Sequence, residues 1–60
     1  MKNFIVNVIG FNIELFASNY SEYIIGWHDD AFGNRVFNLC APQSVYNEIE
    51  NLKEECIEII

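Results

Sequence analysis

The chain has 60 residues and a net charge of −6, and 52% of its residues are hydrophobic and 15% aromatic. This length suffices for one domain and leaves no room for a second. Its three basic residues are too few to hold a phosphate backbone or an anionic membrane surface, so the composition argues against direct nucleic-acid binding and membrane attachment and favours a protein partner with a basic surface.

The first two thirds of the chain are predicted to form strands. Over residues 3–17, apolar and polar side chains alternate, which is the period of a half-buried strand. The alternation switches parity at Gly10, so we expect a bulge or a tight turn there. Two further runs rich in β-branched and aromatic residues, 22–28 and 35–40, read as strands joined by a turn over residues 29–34.

The last part of the chain, about residues 44–59, is predicted to form one amphipathic helix that begins at the N-cap Ser44. Its apolar side chains fall within an arc of roughly 160° at about 100° per residue. The expected fold class is therefore α+β, with an antiparallel meander of three or four strands followed by one C-terminal amphipathic helix. Residues 1–60 form a single domain in this prediction.

The apolar side of this helix is wider than a single small protomer needs. A surface helix typically has a stripe somewhat over about 100° wide, and small scaffolds usually require a disulfide, a metal or a partner chain for stability. We therefore expect a homodimer. The residues predicted to take part in self-association are Tyr46, Ile57, Ile59 and Ile60.

The opposite side of the predicted helix is acidic. Glu50, Glu54 and Glu58 follow one another at four-residue spacing, with Glu48 and Glu55 beside them. Such a ridge complements Lys and Arg on a target protein, so these five residues are the predicted partner-binding site. The alternative is that the ridge is the solvated side of the helix and only keeps the protein soluble.

Aromatic residues near the predicted second strand allow two interpretations. Tyr20, Tyr23, Trp27 and Phe32 could form the hot spot of an interface. The commoner use of such residues is packing in the core. The sequence leaves both open.

One cluster, Trp27-His28-Asp29-Asp30, suggests chemistry. A His beside a carboxylate can serve as a base or a metal ligand, but Asp side chains in a turn commonly bond the backbone, and we favour that interpretation. The chain has no second His and no glycine-rich phosphate loop. We therefore predict a non-enzymatic protein with no cofactor and no metal, and an enzyme that relies on His28 is the third hypothesis.

The two cysteines are expected to stay reduced. In the predicted helix, Cys56 lies about 18 Å along the axis from Ser44 at about 1.5 Å per residue, and Cys40 lies just before the helix start. A disulfide requires Cα atoms within about 7 Å. The sequence also shows no convincing signal peptide and no apolar run long enough to span a membrane. These features predict a cytoplasmic protein.

In its general profile the chain resembles the small inhibitors that phages use against bacterial defence systems. The shared features are short length, acidity, many aromatic, Asn and Ile residues, and no catalytic motif. The resemblance implies a homodimeric inhibitor, encoded by a phage or mobile element, that occludes a host protein in the host cytoplasm. This is our leading hypothesis.

A second resemblance covers residues 23–26, 35–39 and 44–57, which are similar to the N-terminal domain of HicB antitoxins. That family places strands before a Glu- and Ala-rich helix and binds a small basic toxin. The implied alternative is an antitoxin-like neutraliser. The family's Pro-Asp-Leu-Pro-Gly segment is replaced here by residues 28–33, and neither resemblance transfers functional residues to this chain.

Overall fold

The computed structural model describes residues 1–52 and 57–59. Its elements, in chain order, are strand β1 (Lys2–Val8), a 3₁₀ turn (Gly10–Asn12), helix α1 (Ile13–Asn19), a 3₁₀ turn (Ser21–Tyr23), strands β2 (Ile24–Asp29) and β3 (Arg35–Ala41), helix α2 (Gln43–Glu50) and strand β4 (Ile57–Ile59).

The four strands form one open antiparallel sheet in the order β2-β3-β1-β4. β1 is an interior strand and pairs along its whole length with β3, from Lys2 opposite Ala41 to Val8 opposite Arg35. On its other side β1 pairs with β4. β2 and β3 form a hairpin, so β2 and β4 occupy the two edges.

The core lies between one face of the sheet and the two helices. Its nine buried residues are Phe4, Val6, Val8, Phe16, Tyr20, Phe37, Leu39, Ala41 and Ile49. Aromatic rings join the layers: the Phe16 centroid lies 5.1 Å from that of Phe37, and Phe4 meets Tyr46 edge-on at 5.0 Å. Both helices therefore pack on the same face. We call the opposite side of the sheet, on which no described helix packs, the uncovered face.

The prediction of an α+β fold built on antiparallel strands is confirmed. The strands expected over residues 22–28 and 35–40 correspond to β2 and β3, with boundaries that differ by at most two residues. The strand order is not that of a meander, however, because β1 inserts between β3 and β4. A meander would instead place consecutive strands side by side.

The prediction of one extended segment over residues 3–17 is wrong in its second half, which forms a 3₁₀ turn and helix α1. Ile13, Phe16, Ala17 and Tyr20 follow the i, i+3, i+4, i+7 spacing of a helix, and all four belong to the core or pack against it. The same short stretch also fits an alternating pattern, and tertiary packing decides between the two periods.

The prediction of a helix over residues 44–59 is confirmed in its first part, since α2 covers Gln43–Glu50, and is wrong at its end, where Ile57–Ile59 form β4. The predicted N-cap is wrong as well, because α2 begins one residue before Ser44 and its N-cap is Pro42. In β4, one Glu lies between two β-branched residues, which is the period of a strand. β1 offers this segment a row of backbone hydrogen-bonding groups. A continued helix would instead gather glutamates at the negative end of its dipole.

Candidate protein-binding surface

Large apolar side chains stay exposed on ordered elements of this small domain. The exposed fraction is 88% for Phe32, 78% for Phe11 and 70% for Ile25, and Trp27 is 54% exposed. Single exposed apolar residues are common on protein surfaces. These four, however, lie along one hairpin and on the 3₁₀ turn that contacts its tip, so they form a candidate binding surface.

The turn between β2 and β3 is fixed by Asp30. Its Oδ1 atom accepts the backbone N–H of Phe32 at 2.8 Å and that of Asn34 at 3.0 Å. The N–H of Phe32, followed by that of Asn34 and the side chain of Asn7, holds the pKa of the Asp30 carboxyl below its usual range. The expectation that an Asp side chain bonds the backbone here is confirmed, and Phe32 stands on a well-defined turn.

The 3₁₀ turn after β1 lies directly against this hairpin tip. A Cβ atom on Gly10 would lie 3.2 Å from the carbonyl oxygen of Gly33, so the two backbones approach closely. Phe11 and Phe32 are the neighbours of these two glycines in sequence, and both are exposed. We call Phe11 and Phe32 the tip surface.

Along the hairpin, Trp27 is held by Arg35. The guanidinium carbon lies 3.8 Å from the ring centroid, and Nε donates to Oδ1 of Asp29 at 2.7 Å. This hydrogen bond lowers the pKa of the Asp29 carboxyl and raises that of Arg35. The expectation that Asp29 bonds the backbone is therefore wrong, because its carboxylate pairs with a side chain.

A polar groove opens where β2 begins. It is lined by Asn19, Tyr20, Glu22, Tyr23, Val45 and Glu48. Burial raises the pKa of the Tyr20 hydroxyl, and the Glu48 carboxylate raises it further by its charge and a hydrogen bond. The charge of Glu22 is the largest cause of the raised pKa of Tyr23. We call Tyr20, Glu22, Tyr23 and Glu48 the acidic groove.

The five predicted partner-binding glutamates do not form one ridge on one helix. Glu48 lines the acidic groove, and Glu50 is exposed at the end of α2. Glu58 belongs to β4 instead of the helix, and Glu54 and Glu55 lie outside the described residues. Because α2 ends at Glu50 and Glu58 belongs to β4, these two glutamates do not lie on one helix surface.

The predicted self-association residues also separate. Tyr46 is half-buried with its ring against Phe4, and Ile59 packs against the core. Ile57 belongs to β4, and Ile60 lies outside the described residues. The surplus apolar surface that suggested self-association is therefore already in use at Tyr46 and Ile59.

Sequence reasoning missed two residues of this surface, Glu22 and Ile25. Glu22 is the sequence neighbour of Tyr23, whose pKa it raises, but its place in one groove with Glu48 depends on packing between segments that are distant in sequence. Ile25 lies at an irregularity of the register between Ile24 and Gly26. A bulge changes which side chains face the core, and it leaves no reliable mark in the apolar pattern.

His28 is the residue that the sequence suggests as a base or metal ligand, and it is exposed in β2, where it pairs with Val36. Of the two cysteines that are expected to stay reduced, Cys40 is half-buried with a free thiol, and Cys56 lies outside the described residues. Among residues 1–52 and 57–59, no group of three His, Cys, Asp or Glu side chains could hold a metal ion. Within the same ranges, no helix has the length and apolarity required to cross a membrane.

Comparisons with models of protein families, with curated proteins and with solved structures found no match. We therefore infer function from the geometry and charge of the surface described above.

Proposed function

We propose that this chain is a small acidic, non-enzymatic inhibitor that binds a protein with a basic surface and occludes it. In this proposal it is encoded by a phage or mobile element and acts in the host cytoplasm. The observation that carries the proposal is the tip surface, which presents two largely exposed Phe side chains on a chain with a net charge of −6.

The tip surface suits an interface because aromatic anchors contribute much of the binding energy of protein complexes. Phe32 stands on a turn whose hydrogen bonds are already formed. Binding would therefore order few additional groups, which lowers its entropic cost. The acidic net charge attracts a basic partner and accelerates the encounter.

Capture from host lysate with the full chain as bait, quantified by mass spectrometry, tests this function. We expect one basic protein on the wild-type bait. The purified protein should bind the Phe32→Ala variant at least about thirtyfold more weakly, as for a hot-spot residue. The control is Ile5→Ala on the uncovered face, which should bind like the wild type. Equal binding by all three baits would contradict the proposal.

An antitoxin-like neutraliser is the second candidate. β2, β3 and α2 follow one another as strand, strand and helix, which is the order that the HicB resemblance implies. The same capture distinguishes the two functions. A small basic toxin encoded beside this chain would favour the antitoxin, and a host protein without toxicity would favour the inhibitor.

The homodimer stays a prediction. Tyr46 and Ile59 are partly buried against the chain's own core, so a dimer that uses them has less of their apolar surface available than predicted. Light scattering at micromolar concentration checks it: a mass near twice the 7.0 kDa of one chain is expected for the dimer. A mass of one chain at that concentration would contradict it.

A further inference from the structure

β2 is an edge strand whose outer side pairs with no strand among the described residues. Edge strands are commonly protected by Lys or Pro, or by a covering element. The sequence of β2, Ile-Ile-Gly-Trp-His-Asp, contains neither residue, and its Ile25 and Trp27 side chains are exposed. The irregularity near Ile25 leaves Gly26–Asp29 in regular register with β3. This part of the strand can accept another strand.

A groove of about 410 Å³ accompanies β2 on the side of the sheet that carries the helices. Ala17 and Ser21 line one side of it, and Ile24, Trp27 and Phe37 line the other. A strand added to β2 places every second side chain toward one face. Apolar side chains of such a strand would fill this groove and cover the exposed part of Trp27.

The acidic groove at the start of β2 favours a positively charged side chain in the bound segment. Glu22 and Glu48 line the acidic groove with Tyr20 and Tyr23. In the described part of the chain, the ion pair is Arg35 with Asp29, and no cation pairs with either glutamate. A Lys or Arg side chain satisfies carboxylates by charge-assisted hydrogen bonds and is attracted to Tyr rings.

We propose that the β2 edge binds an extended segment of the partner protein by strand addition, with a Lys or Arg of that segment seated between Glu22 and Glu48. This inference rests on the proposed function and names how the basic partner is recognised. The tip surface lies at the far end of the same hairpin, so one partner can contact both.

Charge argues against a second copy of this chain on the same edge. In antiparallel self-pairing about a two-fold axis, the Glu22 end of one β2 lies beside the Asp29–Asp30 end of the other. Like charges placed opposite each other are unfavourable. A basic segment of another protein avoids this repulsion.

The test uses a random twelve-residue peptide library displayed on phage, selected against the full chain. We expect enriched peptides to combine β-branched or aromatic residues with at least one Lys or Arg. The synthetic consensus peptide is then titrated calorimetrically. Glu48→Gln should weaken its binding by about tenfold, as expected for a lost charged contact. Glu50→Gln, which removes the same charge from the same helix outside the groove, should change it less than about twofold.

Backbone pairing is tested without changing the protein. N-methylation of the consensus peptide at successive positions should abolish binding at every second position, because alternate N–H groups of an added strand face β2.

Ile25→Lys should also weaken binding of the peptide at least about tenfold, since a charged edge opposes strand addition. Ile25 is largely exposed, and circular dichroism verifies that the variant folds.

Three outcomes would overturn the inference: no enriched peptide, equal effects of Glu48→Gln and Glu50→Gln, or N-methyl effects without alternation. Failure of this inference can be distinguished from failure of the proposed function. If the captured basic protein loses affinity for Phe32→Ala but binds Ile25→Lys and Glu48→Gln like the wild type, the function stands and strand addition is wrong.

Discussion

Phe32 owes its position to Asp30 and Gly33 in the hairpin turn and to Gly10 in the 3₁₀ turn that lies against it. Asp30 accepts two backbone N–H groups, Gly33 adopts a φ of 82°, and Gly10 approaches the Gly33 carbonyl. A left-handed backbone costs an L-residue roughly 1–2 kcal/mol, so glycine is favoured at position 33. These three residues fix the turn that carries the Phe32 ring, and they lie outside the core.

Gly33→Ala is expected to lower the free energy of unfolding by about 1–2 kcal/mol, because alanine resists a positive φ. Gly26→Ala is the matched control, since its Cβ would meet Asn38 at an ordinary 3.8 Å. The control should leave stability unchanged or slightly raised. Urea unfolding of both variants measures the difference, and an equal effect at the two positions would contradict the role given to Gly33.

Asp30→Asn tests the carboxylate of the turn, since Asn keeps the accepting oxygen and removes the charge. The native pKa of Asp30 is lowered, so its contribution is complete above the unfolded value of about 3.9 and is lost as pH falls through the native one. The stability difference between wild type and variant should therefore shrink below about pH 4. Urea titrations at several pH values measure it, with Glu50→Gln as control. A difference independent of pH would contradict the prediction.

At the element scale, the apolar patterns over residues 22–28 and 35–40 predicted strands correctly, whereas the longer patterns over residues 3–17 and 44–59 were correct only in their first parts. Val6 and Val8 alternate cleanly because only one face of β1 packs on the helices. Residues 13–20 satisfy both periods, and the choice depends on contacts with β3 that are distant in sequence. The candidate site could not be predicted for the same reason. Glu22 and Glu48 line one groove only after α2 packs beside the second 3₁₀ turn, Ser21–Tyr23.

Pairing of β4 with β1 makes a prediction for hydrogen exchange. Because β1 lies between β3 and β4, the amides of Val6, Asn7 and Val8 should all be protected. A helix over residues 44–59 would leave the β4 side of β1 unpaired. Alternate amides of β1 would then exchange quickly. Hydrogen exchange followed by NMR distinguishes pairing of β4 with β1 from a continued helix. The amides of β2 are the internal reference for an open edge.

Ile49 is the fully buried residue that α2 contributes to the core. Ile49→Ala is expected to cost about 2–5 kcal/mol, which is a large part of the stability of a domain this small. Ile25→Ala removes the same atoms from an exposed position and should cost much less. Thermal unfolding of the two variants provides the measurement, and comparable losses would contradict the placement of the core.

For the whole molecule, acidity and the open edge act together. In the proposed function, the net charge of −6 disfavours self-pairing of β2 and attracts a basic surface, and the exposed apolar side chains of the hairpin would supply contact area. Composition alone predicted the basic partner. It could not indicate which surface binds, because the helix to which the binding residues were assigned is half as long as expected.

Binding of the captured partner should weaken as salt rises, because the attraction acts between exposed charges. From 50 to 500 mM NaCl we expect the association rate to fall by about tenfold or more and the dissociation rate to change little. Surface plasmon resonance measures both rates. An affinity that rises with salt would indicate a purely apolar interface and contradict the electrostatic contribution.

The most direct measurement is an NMR titration of the isotope-labelled chain with the captured basic protein. We expect the largest backbone shift changes over residues 22–29 and around Glu48, with a second set at Phe11 and Phe32. Changes confined to Asn3, Ile5 and the rest of the uncovered face, with β2 unaffected, would contradict recognition at the β2 edge.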